Sequence, residues 1–205
     1  MGLELDEAPP DHSTISRTRR LIDVETHRAV FTWIAERLSK AGLVNGKTVG
    51  VDATTLEANA ALRSIVRRDT GEGYEAFLMR LAKASGIATP TREELARLDR
   101  QRPKKGSNED WTHPHDPDAR ITKMKDGRTH LAHKAEPAVD LETGAVVAVT
   151  VQPADKGDTE TVKETLIEAA ENVEKAKPQT EVVKELVADK GYHSNALLEI
   201  GRAHV

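Results

Sequence analysis

A chain of 205 residues, 38% hydrophobic and 31% charged, suits one domain with room for a small helical appendage and argues against wholesale disorder. Aromatic residues are only 3%, so the core must be built mainly from Val, Leu, Ile and Ala. Cysteine is absent, which excludes disulfides, thiolate chemistry and Cys-ligated metal centres and fits a reducing cytoplasm. The formal net charge of −4 counts weakly against a dedicated nucleic-acid binder.

The charge is unevenly spread. Between Arg100 and Lys134 nine Lys/Arg face five Asp/Glu, whereas between Asp155 and Val187 the numbers are five and nine. A locally basic stretch in an acidic chain can meet a phosphate backbone, although a solvated loop has the same composition. The opening MGLELDEAPPDHS lacks the pattern of a signal peptide, and the apolar run AVVAVTV at 145–151 is too short to span a bilayer. The expectation is a cytoplasmic protein with no membrane partner.

Residues 10–45 read as helical. Asp23 is placed to cap a helix carrying Val24, Ala29, Val30, Trp33, Ile34 and Leu38 at helical spacing, and Gly42 marks its end. Ahead of it, PDHSTISRTRRLI offers capping hydroxyls and three arginines, Arg17, Arg19 and Arg20, which suit either phosphate contact or a polar helix face. The period then changes: in NGKTVGVDATT, Val49 and Val51 alternate with Thr48, Gly50 and Asp52, so a strand ends near Asp52. Open α/β sheets commonly place ligands at that edge.

Residues 57–100 predict helix in two pieces, interrupted around Gly71 and Gly73, with a start near Thr89 or Thr91. Residues 101–128, with three prolines and little periodicity, predict an extended loop anchored by Trp111. RTHLAHKAEPAVD and AVVAVTVQP predict an antiparallel hairpin across LETG, with Pro137 arguing that the first strand is an edge or bulges and the second more central. Asp158 is expected to cap a helix bearing Val162, Leu166, Ile167, Ala170 and Val173, ended by Pro178. EVVKELVAD then delivers Asp189 into the turn KGYHSN, and NALLEI begins a last helix.

Two acidic residues share a setting: Asp52 closes VGVD and Asp189 closes LVAD. Either one alone reads equally as a turn or cap residue. If their strands are neighbours, the carboxylates converge, and a divalent cation with a taste for oxygen would relieve their repulsion. A pair of such ions suits phosphodiester transfer. Lys190 and His193 sit beside Asp189 and suit phosphate contact or turn support. His113, His115, Asp116 and Asp118 in HPHDPD, with His130 and His133 nearby, match no strong zinc template. No Walker loop, dinucleotide glycine motif or serine elbow is present, which sets aside kinases, nicotinamide enzymes and serine hydrolases.

The segments PDHSTISRTRR, GKTVGVDATTLEANAA, HLAHKAEPAVDLETGAVVAVTVQPADKGDTETV and VADKGYHSN together resemble bacterial insertion-sequence transposases of the IS5/IS1182-like group. The resemblance implies an α/β fold: an RNase H-like mixed sheet with flanking helices, in which three acidic residues hold two divalent cations, Mg²⁺ or Mn²⁺. The first two acids fall on Asp52 and Asp189, while Asp140 and Asp158 are expected to support the hairpin and the helix cap. The third acid has no matching segment before Val205, so the expectation is a DDE domain incomplete at its C-terminus and poorly active alone. The implied organisation is a helical segment at 1–45 and a partial catalytic domain at 46–205 with an insertion at about 57–128. Implied partners are double-stranded DNA at element ends and a second copy of the chain. DNA contact is expected from Arg17, Arg19, Arg20, Lys123, Lys125, Arg128, Lys190 and His193. An RNase H-like nuclease and a DNA-binding transposase remnant are the alternatives.

Overall fold

The computed structural model describes residues 11–103, 106–178 and 183–193. Two helices come first, α1 (His12–Leu21) and α2 (Val24–Lys40). Asp11 caps α1 by accepting from the Ser13 amide, so an acid rather than a hydroxyl starts it. Asp23 caps α2 as expected, accepting from the Thr26 amide at 2.7 Å. Gly42, at φ 76°, ends α2, and the Leu43 amide returns to the Leu38 carbonyl. The helix packs against the sheet-covering helix by another face than its apolar spacing suggests: Ala35 is buried, whereas Val30, Trp33 and Ile34 stay exposed.

The centre is a mixed sheet whose strands are β1 (Thr48–Val51), β2 (Thr54–Glu57), β5 (Arg120–Lys123), β6 (Thr129–Asp140), β7 (Val146–Pro153) and β8 (Glu185–Ala188). The long β6 is the hub. It pairs antiparallel with β7 along one side, and with β1 and then β2 along the other, while β5 pairs with its first residues. β8 lies parallel to β1 on the far side from β6.

The hairpin of β6 and β7 forms as the sequence predicts, but the roles of its strands are exchanged: β6 is central and β7 is at the edge. Pro137 is tolerated there for a local reason. On one side β1 pairs up to Ala138 and β2 pairs only from Ala135, so Pro137 falls in the gap where the chain passes from one strand to the other. On its other side Pro137 faces Val149 next to a register irregularity at Ala138 and Val139.

One sheet face is covered by α5 (Asp158–Ala176). Val49, Val51, Ala138, Ala148, Val162, Ala169 and Val173 form the apolar part of that interface. The helix buries Thr161, Val162, Thr165, Ala169 and Val173 and packs Leu166 on the core, while Ile167 is exposed, so Val162, Leu166 and Val173 lie inward as expected and two threonines join them. The hydroxyls belong inside because the sheet opposite them is polar, as described below. Gly157, not Asp158, occupies the N-cap, and Asp158 is the first helical residue. α2 lies against α5 as an outer layer.

The segment between β2 and β6 corrects two expectations. Residues 57–70 hold no α-helix, only a 3-10 turn at Leu62–Ser64: Glu57 closes β2, and Val66–Arg67 (β3) pairs with Trp111–Thr112 (β4). The loop expected over 101–128 contains both β4 and β5. Tertiary pairing overrides local propensity here, because Ile65 and Trp111 bury together with Ala119 and Leu131. Trp111 is 3% exposed and takes Tyr74 and Phe77 edge-on, each with centroids 5.2 Å away, so its anchoring role stands. The helices α3 (Tyr74–Ala84) and α4 (Arg92–Gln101) complete the segment, and Thr91 and Glu94 close the capping box that the sequence announces. NALLEI lies outside the described residues.

Candidate functional site

The parallel pairing of β1 with β8 sets the geometry. Thr48 to Val51 register with Glu185 to Ala188, one to one. The next residue on each strand is an aspartate, so Asp52 and Asp189 leave the sheet at corresponding positions, on strands about 4.8 Å apart. Both are exposed. Each carboxylate is steadied by a nearby amide: Asp52 Oδ1 accepts from Ala53 N at 2.8 Å, and Asp189 Oδ1 accepts from Gly191 N at 2.7 Å. The other oxygen of each has no protein hydrogen-bond donor among the described residues. Two exposed carboxylates at the ends of adjacent strands match the donor chemistry of a hard divalent cation, so these residues fit one. Among the described residues no group of three or more His, Asp or Glu is arranged to hold a metal.

Behind this edge lies a buried polar cluster that the sequence reading missed. Glu136, on the central strand, is fully buried and accepts from Thr161 Oγ1 at 3.0 Å, from Tyr192 OH at 3.1 Å and from Thr165 Oγ1. Thr165 also shares a hydrogen bond of 2.6 Å with Thr150 on β7. Lys134, 4% exposed, places Nζ 2.9 Å from Thr161 Oγ1, 3.8 Å from Glu136 and 2.5 Å from Asp158 Oδ1. Asp158 is therefore the ion-pair partner of Lys134 and not a side-chain cap. Burial pushes the Tyr192 phenol up, and the carboxylates of Glu136, Asp158 and Asp52 push the same way, so it remains a donor. A sequence trace exists: Lys134 and Glu136 lie two apart on one face of a strand, and Thr161 and Thr165 lie four apart on the helix that covers them.

Asp140 does support the hairpin. It is fully buried and accepts from the amides of Asn45, at 2.6 Å, and Gly46, at 2.9 Å, tying the entry to β1 onto the end of β6. Burial works to raise its pKa, but the amides of Gly46, Asn45 and Glu142 outweigh it and hold the carboxyl below its ordinary value.

The basic residues divide by position. Lys190 and His193 are exposed in the turn that follows Asp189. Lys123, Lys125 and Arg128 are exposed at the β5–β6 turn, closed by the Met124 amide to the Arg128 carbonyl and by Gly127 at φ 81°. β6 runs on past the end of β1, so this turn stands on the same end of the sheet as Asp52, about eight strand residues or roughly 25 Å away. Arg17, Arg19 and Arg20 are exposed on α1, and no described contact brings them to the carboxylates. The histidines of the loop do not assemble a site: His133 pairs with Asp116 at 3.0 Å, His130 with Glu57 at 2.6 Å, and His113 is buried.

No helix among the described residues is long and apolar enough to cross a membrane. Comparison with curated proteins and with solved structures returns no match. A family model described as a transposase DDE domain matches residues 89–203, more than half of the chain, including Asp189 and the whole Glu136 cluster but not Asp52. The mixed sheet with flanking helices is consistent with the RNase H-like arrangement expected of such a domain. The chain belongs to the transposases with a DDE domain.

Proposed function

We propose that Asp52 and Asp189 are acids of a DNA strand-transfer site within an insertion-sequence transposase of the IS5/IS1182-like group. The supporting observation is the register of β1 and β8, which sets the two aspartates side by side on a solvent-facing rim. Bound Mg²⁺ or Mn²⁺ would supply activation of a water or 3′-hydroxyl and stabilisation of the departing oxygen. The chain's own residues do the holding: Asp52 and Asp189 offer their free oxygens to the cation, and Lys190 and His193 stand where they meet the flanking phosphates. Lys123, Lys125 and Arg128 extend a positive track along the same end of the sheet, and Arg17, Arg19 and Arg20 offer a second contact to the backbone of element-end DNA. Pairing with a second copy on two DNA ends, in the cytoplasm, belongs to the same reading.

The test incubates the purified chain with labelled element-end DNA and Mg²⁺ or Mn²⁺ and resolves the products. Metal-dependent turnover that disappears in Asp52→Asn and in Asp189→Asn supports the assignment, and turnover that survives both substitutions overturns it. Cleavage without any joining favours a nuclease. Salt-sensitive DNA binding without turnover, unchanged in the double variant, favours a DNA-binding remnant.

A further inference from the structure

A fully buried glutamate on the central strand of a small sheet is costly unless its oxygens are well satisfied. Glu136 is satisfied by hydroxyls from two kinds of place. Thr161 and Thr165 belong to α5, and Thr150, which backs Thr165, belongs to β7; with β6 these elements pack as one unit. Tyr192 is the member that comes from the turn after β8. Its ring is 3% exposed and joins the core beneath α5.

That turn is short and closes on Asp189. The Gly191 amide donates to Asp189 Oδ1, and the Tyr192 amide donates to the Asp189 carbonyl at 3.2 Å. Fixing the Tyr192 ring and hydroxyl therefore fixes the peptide that holds one oxygen of the exposed Asp189. A second tie runs alongside: a Cβ placed on Gly191 would stand 2.9 Å from Asp189 Oδ1 and 3.3 Å from Asp158 Oδ2, so Asp158, held by Lys134, borders the same turn. We infer that Glu136 is a positioning residue for the Asp189 carboxylate, acting through the Tyr192 hydroxyl; this rests on Asp189 being a metal-holding acid.

A merely structural role would lower stability without singling out Asp189. The experiment compares Tyr192→Phe and Glu136→Gln with Thr150→Val, which disturbs the same cluster on the side away from the turn. Two readouts are taken: amide exchange at Gly191 and Tyr192 in metal-free protein by NMR, and Mn²⁺ affinity by electron paramagnetic resonance. Tyr192→Phe keeps the packing, so it is expected to fold. It should speed exchange at the two amides about 10-fold beyond any global change, the value of one lost hydrogen bond. Its Mn²⁺ affinity should fall by about 10-fold or more, as for other residues that orient a ligand. Thr150→Val should do neither.

Unchanged exchange in Tyr192→Phe overturns the inference, and so does faster exchange with unchanged Mn²⁺ affinity in a protein whose Mn²⁺ binding depends on Asp52 and Asp189. If wild-type Mn²⁺ binding ignores both aspartates, the metal assignment itself fails, and with it the positioning role; the exchange readout then reports whether the tether exists.

Discussion

Val51 and Ala188 are register partners on parallel strands, and the residue after each is an aspartate. Nothing brings Asp52 and Asp189 together in sequence; 137 positions separate them. The sheet does, because β6 and β7 fold back and α5 crosses over to return the chain beside β1. Both aspartates are exposed there.

The buried cluster makes a first stability prediction. Lys134→Met removes the ammonium beside Glu136 and Asp158 and leaves a carboxylate buried without its cation. Unfolding in urea should show a loss of about 3–5 kcal/mol, the range for breaking a buried pair from one side. Lys134→Met with Glu136→Leu together should be less damaging than the first change alone, since no buried unpaired charge then remains and the carboxylate left over, Asp158, is in contact with water.

Asp140 predicts a pH dependence. Its pKa is lower in the folded chain, so between the folded value and the ordinary unfolded value of about 3.9 the unfolded state binds more protons, and stability rises with pH. The contribution is complete above that window and is lost as pH falls through the folded pKa. Asp140→Asn should cost about 1–3 kcal/mol at pH 7 and flatten the acid limb of the stability curve, measured by denaturant unfolding from pH 6 downward. An acid limb as steep in the variant as in the wild type would count against this role.

Trp111 predicts a packing effect. Its ring meets Tyr74, Phe77, Ile65 and Leu131, so Trp111→Ala should destabilise the segment between β2 and β6 by about 3–5 kcal/mol. Calorimetry would detect this, and a change under about 1 kcal/mol would show that the segment contributes little to global stability.

The β5–β6 turn predicts a salt effect. Replacing Lys123, Lys125 and Arg128 with Ala should weaken binding to duplex DNA and lower the slope of log affinity against log salt by about 0.9 for each phosphate no longer neutralised. Fluorescence anisotropy at several salt concentrations measures it; an unchanged slope would remove this turn from the DNA interface.

The two strand ends that carry Asp52 and Asp189 were legible because strand ends carry their own marks. Alternation in TVGVD located Asp52, and the apolar run before Asp189 located its strand. Caps were equally plain at Asp23 and Thr91. What failed was wherever partners distant in sequence decide. Residues 57–70 have apolar spacing that suits a helix, yet Glu57 and Val66 are taken by β6 and β4. Pro137 suggests an edge or a bulge; the irregularity at Ala138 and Val139 fits the second, and on the other side Pro137 sits in a gap between β1 and β2 where its missing N–H costs little. The Lys134–Glu136–Tyr192 cluster escaped because three segments build it, and each alone resembles an ordinary polar surface.

The proposed chemistry stands on a cation shared by the two strand-end acids. Mn²⁺ titration of the purified chain, followed by electron paramagnetic resonance, measures that directly in wild type, Asp52→Asn and Asp189→Asn. One class of Mn²⁺ site, weakened about 10-fold or more by either substitution with circular dichroism unchanged, is the expected result. Equal Mn²⁺ affinity in all three proteins would contradict it.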